Sequence, residues 1–437
     1  MAIHAADFTG YWKGEVMNLP IVFHITADGN KYTSTLNSPS QGAIGIPCDN
    51  TIITGDSIYI SISQLRASYN GVIQADEMTI EGTFIQGQAF NMTLSPASPQ
   101  DIAISRPQDP KPPFIYNSRE VTFTNGNTTL AGTLTTPSYF STFYPAVVLV
   151  TGSGAQNRDE EIMGHRPFAV IADYLTRSGI AVLRYDDRGI GGSSQGKPTD
   201  TSLDFATDAM AAVKFLKSLP SINPNAVGIL GHSEGGSIAL ITAATMPDDI
   251  AFAISLAGVA VKGRDAMIEQ NHMIAQASGQ PLTPGIAQAV NDIFWAIDTI
   301  IDDNTLGAKI KKIMTEAAMH SREQIEQSVA VMTSPWYRSF IRLDMSQYLQ
   351  HIKCPVLALN GEWDIQVSAD QNLKAIKQTT PTAQIKEYPR LNHMFQESPS
   401  ISQSLNYGNI QQTISPIVLS DIANFIIQTN KNLKTKQ

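Results

Sequence analysis

The sequence predicts an α/β fold: a mostly parallel sheet with helices on both faces and a helical insertion, preceded by a small antiparallel β-barrel or sandwich. Three observations predict it. From about residue 120 onward, short apolar strands alternate with helix-period segments. Residues 1–105 instead carry period-two alternation punctuated by Gly, Asn and Asp. Between the two, Arg106-Pro107-Gln108-Asp109-Pro110-Lys111-Pro112-Pro113 reads as a semi-rigid spacer.

The N-terminal region has alternating runs at residues 21–26, 31–36, 57–62, 78–85 and 89–94. Asp28-Gly29-Asn30, Thr54-Gly55-Asp56, Tyr69-Asn70-Gly71 and Gln86-Gly87 read as the turns between strands. The region is acidic, since Lys13, Lys31 and Arg66 face nine acids that include Asp76 and Glu77. The spacer covers 106–113, and a second domain is expected over 114–437. It opens with a hairpin, 121–124 and 129–135, turning at Asn125-Gly126-Asn127. Apolar strands follow at 146–150, 180–185, 226–230, 252–256, 356–359 and 385–388. Helices are expected at 167–177, 203–218, 234–245 and 416–427. Residues 262–345 are helical in period and are read as a cap over one end of the sheet.

Composition excludes several function classes. The chain has 437 residues, 42% hydrophobic and 16% charged, which is a globular composition. Its net charge of −9, with no basic run, lacks the electrostatic footprint of a nucleic-acid binder. Cys48 and Cys354 cannot make a disulfide framework or a structural zinc site by themselves. No apolar stretch is long enough to span a bilayer. The N-terminus lacks a charged segment followed by an apolar one. The expectation is therefore a cytoplasmic protein, or a periplasmic or secreted one whose leader a start methionine has replaced. No cluster of His, Asp and Glu has metal-ligand spacing, so neither a metal nor another cofactor is expected.

The sharpest motif is Gly231-His232-Ser233-Glu234-Gly235-Gly236, between an apolar strand and a helix. G-x-S-x-G at such a junction forces a tight turn that lifts the serine hydroxyl to the edge of the sheet. Ser233 is therefore the candidate nucleophile. A serine needs a base, and the base an orienting acid, here in the chain order Ser, acid, His. After Ser233 come His272, His320, His351 and His393. Only His393 lies in a loop directly after a strand, where open α/β sheets place their sites. Asp364, past a strand and a Gly turn, is the candidate acid, with Glu362 its near competitor. The amides of Ser153 and Glu234 are the candidate oxyanion donors, because two glycines flank Ser153 and Glu234 opens a helix. Trp295, Trp336 and Tyr337 are candidate liners of a substrate pocket. Asp186 and Arg188, after another strand, read as an ion-paired structural turn bracing that face.

These motifs resemble the α/β-hydrolase superfamily, and specifically bacterial esterases of the EstD-like type. The resemblance covers nearly the whole chain. It rests on residues 19–25 and 36–47, on the loop Val150-Thr151-Gly152-Ser153-Gly154-Ala155-Gln156-Asn157-Arg158-Asp159-Glu160, on Arg184-Tyr185-Asp186-Asp187-Arg188-Gly189, on the serine motif, and on Ser334-Pro335-Trp336-Tyr337-Arg338. The first loop departs from the usual Gly-Ser-Gly-Pro-Gln-Asp-Arg at Ala155 and Asn157. The resemblance implies the α/β-hydrolase fold and hydrolysis of a small-molecule carboxylic ester, with Ser233, Asp364 and His393 at the matching positions. A limited cap volume favours short-acyl or aryl esters. Two alternatives stand beside it: a peptidase or thioesterase on the same triad, and a carbohydrate- or envelope-binding protein with a vestigial hydrolase domain.

Overall fold

The computed structural model describes residues 7–29, 31–41, 43–75, 78–102, 106–138, 143–319 and 321–434. Of the residues named above, Asn30, Asp76, Glu77 and His320, and the boundary at 105, lie outside these. The chain divides into two compact units. One holds residues 1–107, 162–165 and 406–411; the other holds 108–161, 166–405 and 412–437.

Among the described residues the first unit has nine strands: β1 (Gly10–Val16), β2 (Leu19–Asp28), β3 (Lys31–Ser38), β4 (Ala43–Pro47), β5 (Asn50–Thr54), β6 (Ser57–Ile62), β7 (Ala67–Ile73), β8 (Ile80–Gln86) and β9 (Gln88–Ala97). They form one sheet in the order β4-β3-β2-β1-β9-β8-β7-β6-β5, antiparallel throughout. The sheet curls on itself. The Cys48 amide donates to the Ser34 carbonyl at 3.0 Å, and the Ser34 and Thr51 hydroxyls meet at 2.7 Å. Inside lie Trp12, Phe23, Ile60, Tyr69, Ile80 and Leu94.

Tyr69-Asn70-Gly71, expected as a turn, lies in the middle of β7, where Asn70 pairs with Tyr59 and Thr83. The reason is packing. A Cβ on Gly71 or Gly82 would stand 2.8 or 2.6 Å from atoms of the Tyr69 ring. The two glycines leave a trough that the ring fills, and its hydroxyl shares one proton between the Ile80 and Met92 carbonyl oxygens, 3.0 and 3.1 Å away.

The second unit runs β10 (Tyr116–Asn125), β11 (Thr128–Pro137), β12 (Tyr144–Val150), α1 (Pro167–Arg177), β13 (Ala181–Tyr185), α2 (Ser202–Lys217), β14 (Ile222–His232), α3 (Glu234–Thr245) and β15 (Ala253–Leu256). Five helices then intervene: α4 (Gly263–Ala277), α5 (Pro284–Thr299), α6 (Asp303–Glu316), α7 (Arg322–Met332) and α8 (Pro335–Arg342). The short α9 (Ser346–Leu349), β16 (Val356–Gly361), α10 (Ala369–Thr379), β17 (Gln384–Tyr388) and α11 (Pro416–Lys434) complete it. The sheet order is β10-β11-β13-β12-β14-β15-β16-β17. β10 and β11 form an antiparallel hairpin, and β11 meets β13 antiparallel. The pairings from β13 through β17 are parallel.

The strands are apolar along their length because both faces are covered. Val148, Leu183 and Ile229 pack toward Val213 of α2 and Ile238 of α3. Their neighbours Val147, Val182 and Leu230 point the other way, to Phe168 of α1 and Ile422 of α11. The inserted helices bury their own cluster, including Phe294, Ile297, Leu306, Ile310 and Ile341. Four of them start on a side-chain cap: Thr283, Asp302, Ser321 and Ser334 each accept an amide of the first turn. Among the described residues no helix is long and apolar enough to cross a membrane.

Candidate active site

Ser233 sits between β14 and α3 with φ 55° and ψ −122°, a conformation that L-residues rarely adopt. The bend closes so tightly that a Cβ on Gly231 would stand 1.9 Å from the Gly235 carbonyl oxygen. A Cβ on Gly235 would stand 2.1 Å from the Val150 carbonyl oxygen. The Ser233 amide donates to the Leu256 carbonyl at 2.9 Å, which ties the turn to the neighbouring strand. Glu234 opens α3, so its amide is among the first N–H groups of the helix, aimed beyond the N-terminus.

Asp364 and His393 come from loops after β16 and β17. A Cβ on Gly361 would stand 2.1 Å from the Leu391 carbonyl oxygen, and the Trp363 amide donates to that carbonyl at 3.0 Å. The two loops are thus pressed together. Asp364 is buried, and its Oδ1 accepts the Gln366 and Val367 amides, both at 2.9 Å. Its Oδ2 accepts Asn360 Nδ2 at 3.1 Å and lies 2.8 Å from His393 Nδ1. Asn392, fully buried, accepts the Met394 and Gln396 amides and so holds the His393 loop in one shape. Glu362 is exposed and accepts the Arg390 amide at 3.0 Å instead.

Ser233 reaches this pair through its neighbour. The His232 ring lies 4.7 Å from the His393 ring, and His232 Nε2 is 2.9 Å from the His393 carbonyl oxygen. Among the described contacts there is no hydrogen bond between Ser233 Oγ and His393 Nε2. On its other side, His232 Nδ1 lies 3.0 Å from Glu160 Oε1, which also accepts the Gly152 amide at 2.8 Å. His232 is fully enclosed. Burial opposes its charged form, but the Glu160 carboxylate and its hydrogen bond, with the His393 carbonyl and Asp364, together outweigh it and raise the imidazole above its ordinary value.

Ser153 is exposed in the loop after β12, and its carbonyl accepts Gln156 Nε2 at 3.1 Å. Behind the loop, Asp187 accepts the Thr151 hydroxyl and the Gln156 amide. Burial pushes the Asp187 carboxyl up to about 7, against those hydrogen bonds and with help from Glu160 and Glu234. The Glu234 side chain is also buried; its Oε1 accepts the Ser202 hydroxyl at 2.5 Å and the indole N–H of Trp336 at 3.0 Å. Trp336, on α8 of the insertion, is thereby joined to the residue after Ser233. Tyr337 packs against Trp336, and burial pushes its hydroxyl up to about 12. Trp295 is 51% exposed and stacks on the Arg264 guanidinium at 3.6 Å; no described contact joins it to Ser233, Asp364 or His393.

Asp186 and Arg188 are ion-paired, but not with each other. Asp186 holds Arg158, and Arg188 holds Asp200 and Asp208. Both Asp186 oxygens are taken by the Arg158 guanidinium, and the Arg188 guanidinium by two other acids, so each charge is matched from another segment. Among the described residues no group of three or more His, Cys, Asp or Glu could hold a metal ion.

Glu160 and His232 have no role in the sequence reading. The serine motif contained His232, and the first loop ended on Glu160. Their pairing, across 72 positions, belongs to tertiary structure.

A family model described as serine aminopeptidase, S33, matches residues 165–399. The chain is 36% identical over 126 residues to Esterase EstD of Thermotoga maritima, a match covering 29% of each chain. It is 34% identical over 125 residues to the polyketide transferase claH of Penicillium crustosum, covering 26% of this chain and 39% of the transferase. The matches thus span well under half the length of either curated relative. A solved structure of Est1E from Butyrivibrio proteoclasticus with ferulic acid bound aligns over 71% of this chain and 99% of its own, at 18% identity and a TM-score of 0.45.

Proposed function

The chain belongs to the serine aminopeptidase S33 family of α/β hydrolases, and from that premise we propose that it hydrolyses carboxylic esters through an acyl-serine on Ser233. One observation carries the reading: a buried carboxylate, Asp364, bonded at 2.8 Å to a histidine whose loop touches the residue before a strained serine. The esterase named among the relatives supports an ester substrate.

In this reading His393 Nε2 takes the proton of Ser233 Oγ as the oxygen attacks the ester carbonyl. Asp364 keeps the His393 Nδ1 proton in place and stabilises the imidazolium. The amides of Ser153 and Glu234 receive the negative oxygen of the tetrahedral intermediate. His393 then protonates the leaving alcohol, and a water activated by the same nitrogen releases the acid. The inserted helices act as a cap, with Trp336 and Tyr337 against the acyl or aryl group and Trp295 farther out, stacked on Arg264. Short-acyl or aryl esters are the proposed substrates. The family description also names aminopeptidases, so peptide anilides are the competing substrate class.

Ser233→Ala is expected to abolish turnover of p-nitrophenyl acetate, on the order of 10⁶ in kcat, with folding unchanged. A serine-directed phosphonate should label Ser233 in the parent. Labelling at Ser153, or faster turnover of peptide anilides than of esters, overturns the reading.

A further inference from the structure

We infer that Glu160 and His232 are positioning residues: His232 is held as a doubly protonated imidazolium that fastens the His393 loop to the glycine loop ahead of Ser233. The positioning role rests on the serine-hydrolase reading; the protonation state does not.

Donor and acceptor accounting leads there. The His393 carbonyl can only accept, so His232 Nε2, 2.9 Å away, carries a proton. Glu160 Oε1 already accepts the Gly152 amide at 2.8 Å, as a carboxylate oxygen does, and lies 3.0 Å from His232 Nδ1. Two lone pairs cannot face each other at that distance, so a proton sits between them. An oxygen receiving two N–H groups is favoured as the anion, which leaves that proton on the nitrogen. Both residues are buried, Glu160 at 1% exposure and His232 at 5%. Glu160 also holds φ 53°, a strained backbone that persists only where its surroundings over-determine it. Its Oε2 is buried without a partner.

The other charged groups facing the pair are acidic or belong to the candidate site. Asp364 lies beyond the His393 ring and favours the imidazolium. Asp187 stands close enough for burial, with the Glu160 and Glu234 carboxylates, to raise its own carboxyl. One segment supplies Gly152 and Glu160, a second His232, and a third His393. The imidazolium joins all three by hydrogen bonds that need its two ring protons.

Nitrogen-15 labelling of the histidine side chains reads this directly in the full chain. Resonances are assigned by replacing the other histidines one at a time. His232 is expected to show two protonated ring nitrogens at about pH 8, well above the ordinary histidine value. One bare ring nitrogen there overturns the inference, and this measurement needs no variant at Glu160. Glu160→Gln keeps the shape and removes the charge. It should leave His232 neutral and lower kcat about 10- to 100-fold, with KM within about twofold, because misplaced groups slow chemistry more than binding. Glu160→Asp, which keeps the charge, should recover part of that loss. A Glu160→Gln protein with parental kcat and an unchanged pH profile overturns the positioning role. Phosphonate labelling of Ser233 runs in parallel: its failure would sink the serine reading, while the nitrogen resonances still judge the pair.

Discussion

Replacing Asp364 by Asn exchanges one oxygen for an NH₂ group at the most constrained point of the candidate site. All four described partners of the carboxylate donate to it: the Gln366 and Val367 amides on Oδ1, Asn360 Nδ2 and His393 Nδ1 on Oδ2. An amide has one accepting oxygen, so its NH₂ must face one of these two pairs. Turned toward Gln366 and Val367, it would meet two N–H groups fixed in the backbone. Turned the other way, it meets a single Asn360 NH₂ group, which keeps its bond to the Val367 carbonyl at 2.9 Å, and a histidine that can surrender its Nδ1 proton. The second arrangement is the less unfavourable. It moves the His393 proton to Nε2, the nitrogen that has to accept from Ser233. kcat should fall by roughly 10⁴, as for other wrong-tautomer variants. That is about 5 kcal/mol of transition-state stabilisation. The lost Asn360 contact should lower folding stability by about 1–3 kcal/mol. Steady-state turnover of p-nitrophenyl acetate reads the first quantity and urea unfolding the second. Glu362→Gln, at an exposed position, is the control and should stay within about twofold of the parent. An Asp364→Asn protein within about tenfold of parental kcat, or a more damaged Glu362→Gln protein, refutes the reasoning.

Gly231→Ala places a methyl 1.9 Å from the Gly235 carbonyl oxygen, which is backbone and cannot turn aside. Urea unfolding should show a loss of about 3 kcal/mol or more, and phosphonate labelling of Ser233 should fail. Asp187→Asn tests the half-buried acid behind the glycine loop. Its folded value, about 7, is above the 3.8 of the unfolded chain, so between those values the folded state holds a proton that the unfolded state lacks. Raising the pH across that window destabilises the parent by up to roughly 4 kcal/mol, three decades of proton affinity, and the effect levels off above it. The variant stays neutral throughout. It should match the parent near pH 4 and exceed it in urea unfolding near pH 8; equal stability at about pH 8 would show Asp187 ionised at little cost.

The features legible in the sequence were local ones. The turn at Gly231-His232-Ser233-Glu234-Gly235 could be read because strand, glycines and helix are contiguous. The Asp364–His393 bond joins two loops that follow apolar strands; chain order left four histidines, and a place directly after a strand narrowed them to His393. What depended on distant segments was hidden. His232 looked like a spacer in its motif, because its partners Glu160 and the His393 carbonyl come from elsewhere. Asp186 and Arg188 looked like partners because they are close in sequence, but their charges are matched by Arg158, Asp200 and Asp208. Tyr69-Asn70-Gly71 has turn composition, and only the Tyr69 ring lying over Gly71 and Gly82 shows why a strand tolerates it. The strands β1, β4 and β5, short or interrupted by glycine, were not read, and neither was the helix α10, although it buries Ala369, Leu373 and Ile376 along one face.

The first compact unit is built from three stretches of chain, and this bears on the order in which the protein can be made. The Arg106 guanidinium donates to the Met163 and Gly164 carbonyls and to those of Gly408 and Ile410. Gly408 lies so close to Ser40 that a Cβ there would stand 1.5 Å from its carbonyl oxygen. N-terminal domains ordinarily finish folding while the rest of the chain is still being synthesised. Here the nine strands emerge first, yet Arg106 must wait about 300 residues for its last acceptors. A ribosome elongating at roughly 5–20 residues per second imposes a delay of tens of seconds before the unit that emerged first can close. Excising residues 1–107 would therefore keep all nine strands and lose two of the unit's three segments, whereas in the full chain that unit can close only once nearly the whole protein has emerged.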